Sequence, residues 1–227
     1  MAEDGTKSLG DLLGALHEER VRSWAPESLK VNVEQRQTLV EQARTARFVT
    51  AGDVVTPFTV TEVGGAELSL GGLLQDGPAV LVFFRFATCP ACNIALPYYD
   101  RALWPGLQRL GASLTAISPQ VSERLGAIKA KHGFQFNVAT DADNALGRRF
   151  GILYEADAAS KAAALKNGNF IGDVTGTGTW ELPQPAVLVI DRDRVVRFAD
   201  VSPDWLVRTE AEPVLAAVRA LVLEKAA

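Results

Sequence analysis

Only two cysteines, two histidines and one methionine occur in 227 residues, and no charge of one sign dominates: 23 basic against 27 acidic side chains leave a net charge of -4. Each shortage excludes something. A zinc centre needs four ligands, yet beyond the cysteines the chain offers only His17 and His132, on separate predicted helices and without the spacing of a second ligand pair, so no metal is expected. The basic residues are dispersed, which excludes the patch a nucleic-acid binder needs. The longest apolar stretch, 79–87, is broken by Arg85 and falls far short of the roughly 20 residues of a membrane-spanning helix. Residues 1–22 scatter Asp4, Lys7, Asp11, Glu18 and Glu19 among leucines, with no uncharged core of a secretory leader, so a cytoplasmic protein is expected.

What is present is concentrated at one place. An apolar strand, expected over 79–86, runs straight into Cys89-Pro90-Ala91-Cys92, which holds both cysteines. A strand-to-helix junction sets Cys89 beside unpaired backbone N–H groups and the positive end of a helix dipole, which favours thiolate over thiol. Cys92 lies one turn further on, within reach of a disulfide to Cys89. In a reducing compartment such a pair is transient and catalytic rather than a staple, so the two cysteines are read as a redox centre.

Around the motif the patterning predicts an α/β chain in two parts, a helical extension over 1–50 and a main domain over 51–227. With 48% hydrophobic residues the chain can bury a substantial core. Leu9, Leu12, Leu13 and Leu16 fall at helical spacing, and a second helix is expected to open at Asn32, with Gln35 completing a capping box. This amphipathic piece either covers one face of the body or forms a homodimer contact. The body reads as a hairpin over 58–70, the strand 79–86, a helix over 91–110 with a proline kink at Pro97, and a strand over 113–118. Further elements follow over 122–131, 136–139 and 144–150, alternating as in a central sheet with helices on both faces. An inserted helix over 156–166 and a glycine-rich loop over 167–178 could form a lid over the motif. A hairpin at 186–199 and a helix over 212–225 close the chain.

The strand, the Cys-Pro-Ala-Cys, the proline-containing helix, Pro185 ahead of a strand and the closing hairpin and helix resemble the thioredoxin-like fold. Val82-Phe83-Phe84-Arg85, Ala116-Ile117-Ser118-Pro119-Gln120 and Trp180-Glu181-Leu182-Pro183 narrow the resemblance to the peroxiredoxin-like branch of the AhpC/TSA family, over about residues 30 to 220. That resemblance implies Cys89 as the attacking thiol, Cys92 as the resolving thiol and Pro185 as a cis-proline facing them. It also exposes departures. Phe86 stands where peroxiredoxins carry a Thr three residues before the peroxidatic Cys, and Pro185 where they carry a peroxide-polarising Arg. Thioredoxin's Trp before the first Cys is replaced by Thr88, and its buried acid by Phe83. Arg85 and Thr88 could stand in, though strand alternation sends them to opposite faces. Glu181 is the nearest candidate base for Cys92, and Trp180 an aromatic wall.

Three function classes follow: first a thiol-disulfide oxidoreductase cycling between dithiol and intramolecular disulfide, then an antioxidant thiol-dependent peroxidase acting on hydrogen peroxide or alkyl hydroperoxides, then a redox sensor or binding module. All use the same two sulfurs and require no cofactor. They share a thiol or dithiol reductant, thioredoxin- or glutathione-like, and a disulfide or peroxide substrate.

Overall fold

The computed structural model describes residues 7–226. Residues 1–6, part of the stretch read above for a leader, and residue 227 lie outside it. Two helices lead, α1 (Leu9–Ser23) and α2 (Pro26–Ala43). Ser8 caps α1 through a capping box with Asp11, and Leu9 and Leu13 are fully buried. The second helix opens six residues before the expected Asn32. Pro26 supplies the start, because its missing N–H is one the first turn leaves unpaired anyway. Gln35 caps nothing; its side-chain carbonyl accepts the backbone N–H of Asp157 at 2.6 Å.

The body follows as β1 (Thr59–Glu62), β2 (Glu67–Ser69), α3 (Leu70–Leu73), β3 (Ala79–Phe83), α4 (Cys92–Ala102), α5 (Trp104–Arg109), β4 (Ser113–Ser118), α6 (Ser122–His132) and β5 (Asn137–Thr140). After a 3-10 turn at Ala142–Asn144 come α7 (Ala145–Arg149), β6 (Leu153–Glu155), α8 (Ala158–Lys166), α9 (Ile171–Thr175), β7 (Glu181–Pro183), β8 (Ala186–Ile190), β9 (Val196–Val201) and α10 (Ala211–Ala226). Seven strands form one mixed sheet in the order β2-β1-β5-β4-β3-β8-β9, with β3 parallel to β4 and antiparallel to β8. The short strands β6 and β7 pair apart from it, a two-stranded sheet the sequence patterning does not signal.

Strand β3 is buried on both faces, which explains why it reads as a continuous apolar run. Alternation divides it: Val80 and Val82 join the core layer that holds both cysteines, α1 and α10, while Ala79, Leu81 and Phe83 join the layer under β1 and α3. Burying a side chain such as Phe83 stabilises the fold by roughly 1.5–3 kcal/mol. The front helices therefore cover the face on which the motif sits. Residues 49–55 are stitched to the body by hydrogen bonds from Val49 to Phe150, Gly52 to Val196 and Val55 to Arg194. Gly151, at φ +70°, lets the chain pass against the Arg47 carbonyl, where a Cβ would collide.

Two other expectations change in detail. The helix expected over 91–110 runs through Pro97 but breaks at Leu103, ahead of Pro105 near the start of α5. The glycine-rich loop contains the short helix α9, which Val121 and Gln120 tie to the body through the carbonyls of Thr175 and Val174. Among the described residues no helix is long and apolar enough to cross a membrane.

Candidate active site

Strand β3 ends at Phe83, and the chain then turns through residues 84–91 before α4 begins at Cys92. Four contacts fix that turn. Ser118 Oγ donates to the Arg85 carbonyl at 2.9 Å, and the Gln120 side-chain carbonyl accepts the Ala87 N–H at 2.7 Å. Asn93 Nδ2 donates to the carbonyls of Ala87 and Cys89 at 2.7 and 3.0 Å. The turn presents Cys89 Sγ to the Cys92 N–H at 3.3 Å, the helix-start donor anticipated from the sequence.

Both cysteines are free thiols with 0% exposure, and their sulfurs lie 2.7 Å apart. Two guanidiniums flank them. Arg85 Nη2 donates to Cys89 Sγ at 3.2 Å, and Arg208 Nη2 approaches Cys92 Sγ at 3.6 Å. Arg85 lies 4.6 Å from the Trp205 ring centroid and donates through Nη1 to Tyr154 Oη at 3.4 Å, while Arg208 Nε donates to the Trp205 carbonyl at 2.9 Å. Among the described residues neither guanidinium pairs with a carboxylate. A cation enclosed without an anion is costly, so the two guanidiniums favour an ionised sulfur beside them.

The titration of the pair follows from this arrangement. Burial alone would push the Cys89 thiol up, but the hydrogen bond from Cys92 and the charges of Arg85 and Arg208 overcome it and hold Cys89 well below its ordinary range. Cys92 is driven the other way, by burial and by the neighbouring Cys89 sulfur, against the opposing pull of Arg208 and Arg85. The arrangement therefore favours ionisation of Cys89 over Cys92, which keeps its proton and donates it in a hydrogen bond to Cys89.

The remaining residues singled out in the sequence scatter around this centre. Thr88 is exposed and lines a separate groove with Ala87, Asn93 and Gln120, away from Arg85. Glu181 forms a two-pronged ion pair with Arg148 at 2.8 and 2.7 Å, which lowers its pKa and commits both its oxygens. Trp180 packs edge-on against Phe170 at 4.8 Å and lines a cavity that also reaches Arg85. Pro185 is a correction: among the described residues no peptide bond is cis. The trans link is the lower-energy form of an X-Pro bond, and here the chain passes extended from β7 into β8, with the Pro185 carbonyl accepting Ser202 N–H at 2.7 Å. Sequence reasoning missed Arg208, Trp205 and Tyr154. Arg208 and Trp205 sit in the irregular segment between β9 and α10, where neither periodicity nor motif marks them.

Residues 51–199 match the AhpC/TSA family. Proteins named as peroxiredoxins in two strains of Mycobacterium tuberculosis, CDC 1551/Oshkosh and H37Rv, are each 25% identical over 170 residues, covering 75% of this chain and 96% of the relative. Among solved structures, the peroxidoxin BcpB of Mycobacterium tuberculosis aligns with a TM-score of 0.59 at 24% identity, over 76% of this chain and 98% of that one. Peroxiredoxin Q of Xanthomonas campestris aligns with a TM-score of 0.56 at 20% identity, over 73% and 91%. The sheet order, the buried dithiol and these matches agree: the chain belongs to the AhpC/TSA family and is a thioredoxin-like oxidoreductase acting on peroxides or disulfides.

Proposed function

We propose that this protein is a thiol-dependent peroxidase in which Cys89 is the attacking and Cys92 the resolving sulfur. The observation that carries the reading is the 3.2 Å contact of the Arg85 guanidinium with a Cys89 sulfur that has no exposed surface. A sulfur so enclosed suits an oxidant a few atoms across better than a protein disulfide, which must lay a chain against it. Disulfide exchange, the class the sequence places first, uses the same sulfurs but lacks that support.

In the first step the Cys89 thiolate attacks one peroxide oxygen. An S–O bond forms, the O–O bond breaks, and the departing oxygen takes a proton from solvent to leave as water or alcohol; the thiolate is oxidised to sulfenic acid and the peroxide reduced. Arg85 is placed to stabilise charge on the departing oxygen, and with Arg208 it replaces the polarising Arg absent at Pro185. Cys92 then attacks the Cys89 sulfur. Its proton leaves with the displaced hydroxide as water, and an intramolecular disulfide closes. Two thiols or one dithiol, of the glutathione or thioredoxin kind and in a cytoplasmic setting, restore the dithiol by exchange.

Rapid mixing of the reduced protein with hydrogen peroxide, followed by tryptophan fluorescence, tests this reading. The expected result is a fast second-order phase that Cys89→Ser abolishes and that stops at a dimedone-trappable sulfenic acid in Cys92→Ser. A rate no faster than that of a free low-pKa thiol, together with turnover of insulin disulfides, would transfer the assignment to disulfide exchange.

A further inference from the structure

The glycine-rich segment 167–178, expected as a lid over the motif, lies beside the turn that carries Cys89: Val174 lines one groove with Ala87 and Thr88. A single side chain joins the two. Gln120 is 2% exposed, and both ends of its amide are committed. Its Oε1 accepts the Ala87 N–H at 2.7 Å, and its Nε2 donates to the Val174 carbonyl, in α9, at 2.9 Å. Its backbone N–H donates to Ser118 Oγ at 3.2 Å, the hydroxyl that in turn donates to the Arg85 carbonyl. Turning the amide over would set donor against donor at Ala87 and acceptor against acceptor at Val174, so its two contacts stand or fall together. From the other side Asn93 Nδ2 donates to the Ala87 carbonyl, while Asn93 Oδ1 accepts Lys131 Nζ, from α6, at 3.0 Å. The segment is itself held in one place. Val121 N–H donates to the Thr175 carbonyl at 2.9 Å, Thr175 Oγ1 donates to the Ile171 carbonyl at 2.9 Å, and Gly176, at φ +81°, lies so close to Val121 that a Cβ would come within 2.8 Å of it.

We infer that Gln120 is a positioning residue through which the glycine-rich segment holds Cys89 in register with its activating donors. The segment is then a buttress behind the turn rather than a lid in front of it. Cys89 Sγ meets the Cys92 N–H at 3.3 Å and Arg85 Nη2 at 3.2 Å. Both donors sit on the stretch 85–92, which Gln120 grips at Ala87 directly and at the Arg85 carbonyl through Ser118. Release of that grip lets the stretch spread and lengthens both contacts, and a hydrogen bond to the charged form of a thiol favours that form only while its geometry holds. The inference goes beyond the peroxidase reading, because the thiolate is the nucleophile towards a peroxide and a disulfide alike.

Absorbance at 240 nm against pH, on reduced protein carrying Cys92→Ser so that one thiol titrates, reads the effect without any substrate and so independently of peroxide turnover. Gln120→Met keeps the length of the side chain and removes both amide contacts. The midpoint of Cys89 ionisation should rise by about 0.4–1 pH unit, the worth of one hydrogen bond. Gly176→Ala and the nearly isosteric Thr175→Val disturb α9 without touching residues 85–92, and each should move the midpoint in the same direction. Combined with Gln120→Met neither should add to the shift, because the connection they act through is already cut. A midpoint unmoved by Gln120→Met, in protein whose urea midpoint has fallen, would reduce Gln120 to a stabilising contact and overturn the inference. Variants of α9 that leave the midpoint in place, or whose shifts add to that of Gln120→Met, would overturn the coupling. Thr175→Val imposes no backbone strain, so an unmoved midpoint in that variant decides against the coupling even where Gln120→Met or Gly176→Ala does not fold.

Discussion

Arg85 Nη2 stands 3.2 Å from Cys89 Sγ, and neither it nor its counterpart Arg208 has a carboxylate partner among the described residues. The pair and the dithiol form one electrostatic unit: a half-buried cation, a buried one, and a sulfur whose ionisation they favour.

Replacing Arg85 with Met removes the charged hydrogen bond while keeping much of the apolar stem. A charged hydrogen bond contributes about 1.5–3 kcal/mol, so the peroxide reaction at pH 7 should slow by roughly 10- to 100-fold. Stopped-flow rates for the two proteins check this, and a change within twofold would contradict it.

Arg208→Met should make the couple more reducing. The cation at 3.6 Å from Cys92 favours the state that carries a thiolate, and the disulfide has no anion to offer it. Losing that preference stabilises the disulfide relative to the dithiol, and each 1.4 kcal/mol corresponds to about 30 mV. Equilibration with glutathione buffers should show the potential fall by about 30 mV or more; a rise would reverse the assigned sign.

The low Cys89 pKa is also a stability term. In the unfolded chain this thiol titrates near its ordinary 9.0, and in the fold well below it. Between those two values the unfolded state binds the extra proton, so stability rises with pH, is complete above about 9.0, and is lost as pH falls through the folded value. Cys92 shifts upward and stays protonated in both states below that limit, adding no slope there. Reduced protein should therefore gain stability over its Cys89→Ser variant as pH rises toward 9.0, by denaturant titration. Parallel curves would contradict a depressed thiol.

Glu181→Gln separates the sequence reading from the structural one. If Glu181 were the base for Cys92, disulfide closure would slow severely. With both oxygens committed to Arg148, closure of the disulfide should stay within about threefold of the original rate, as an exposed ion pair contributes only about 0–1 kcal/mol. Rapid-quench thiol counting gives the rate.

Gly151→Ala should destabilise the fold by about 1–3 kcal/mol, because its φ of +70° and its contact with Arg47 leave no place for a Cβ. A shift of the urea midpoint without a change in slope checks it.

The elements legible in the sequence are those with strong local causes. Strand β4 coincides with the expected 113–118, and α6 ends one residue beyond expectation, at His132. Cys89 and Cys92 announce themselves by spacing. Strands β6 and β7, three residues each, are too short to show a period, and the start of α2 was obscured by a polar pair at Asn32 and Gln35 that looks like a cap. Arg208 illustrates the deeper limit. Its meeting with Cys92, 116 positions away in the chain, depends on the path of the loop after β9, which nothing local encodes.

The central claim is that the hydrogen bond from Cys92 and the charges of Arg85 and Arg208 together hold the Cys89 thiol well below its ordinary range. Absorbance at 240 nm, recorded against pH for reduced Cys92→Ser and for the same protein carrying Arg85→Met, tests it most directly. A thiolate that forms well below pH 8.5 and shifts upward when Arg85 is replaced is the predicted result. Titration near pH 8.5 or above, with no response to Arg85→Met, would contradict it.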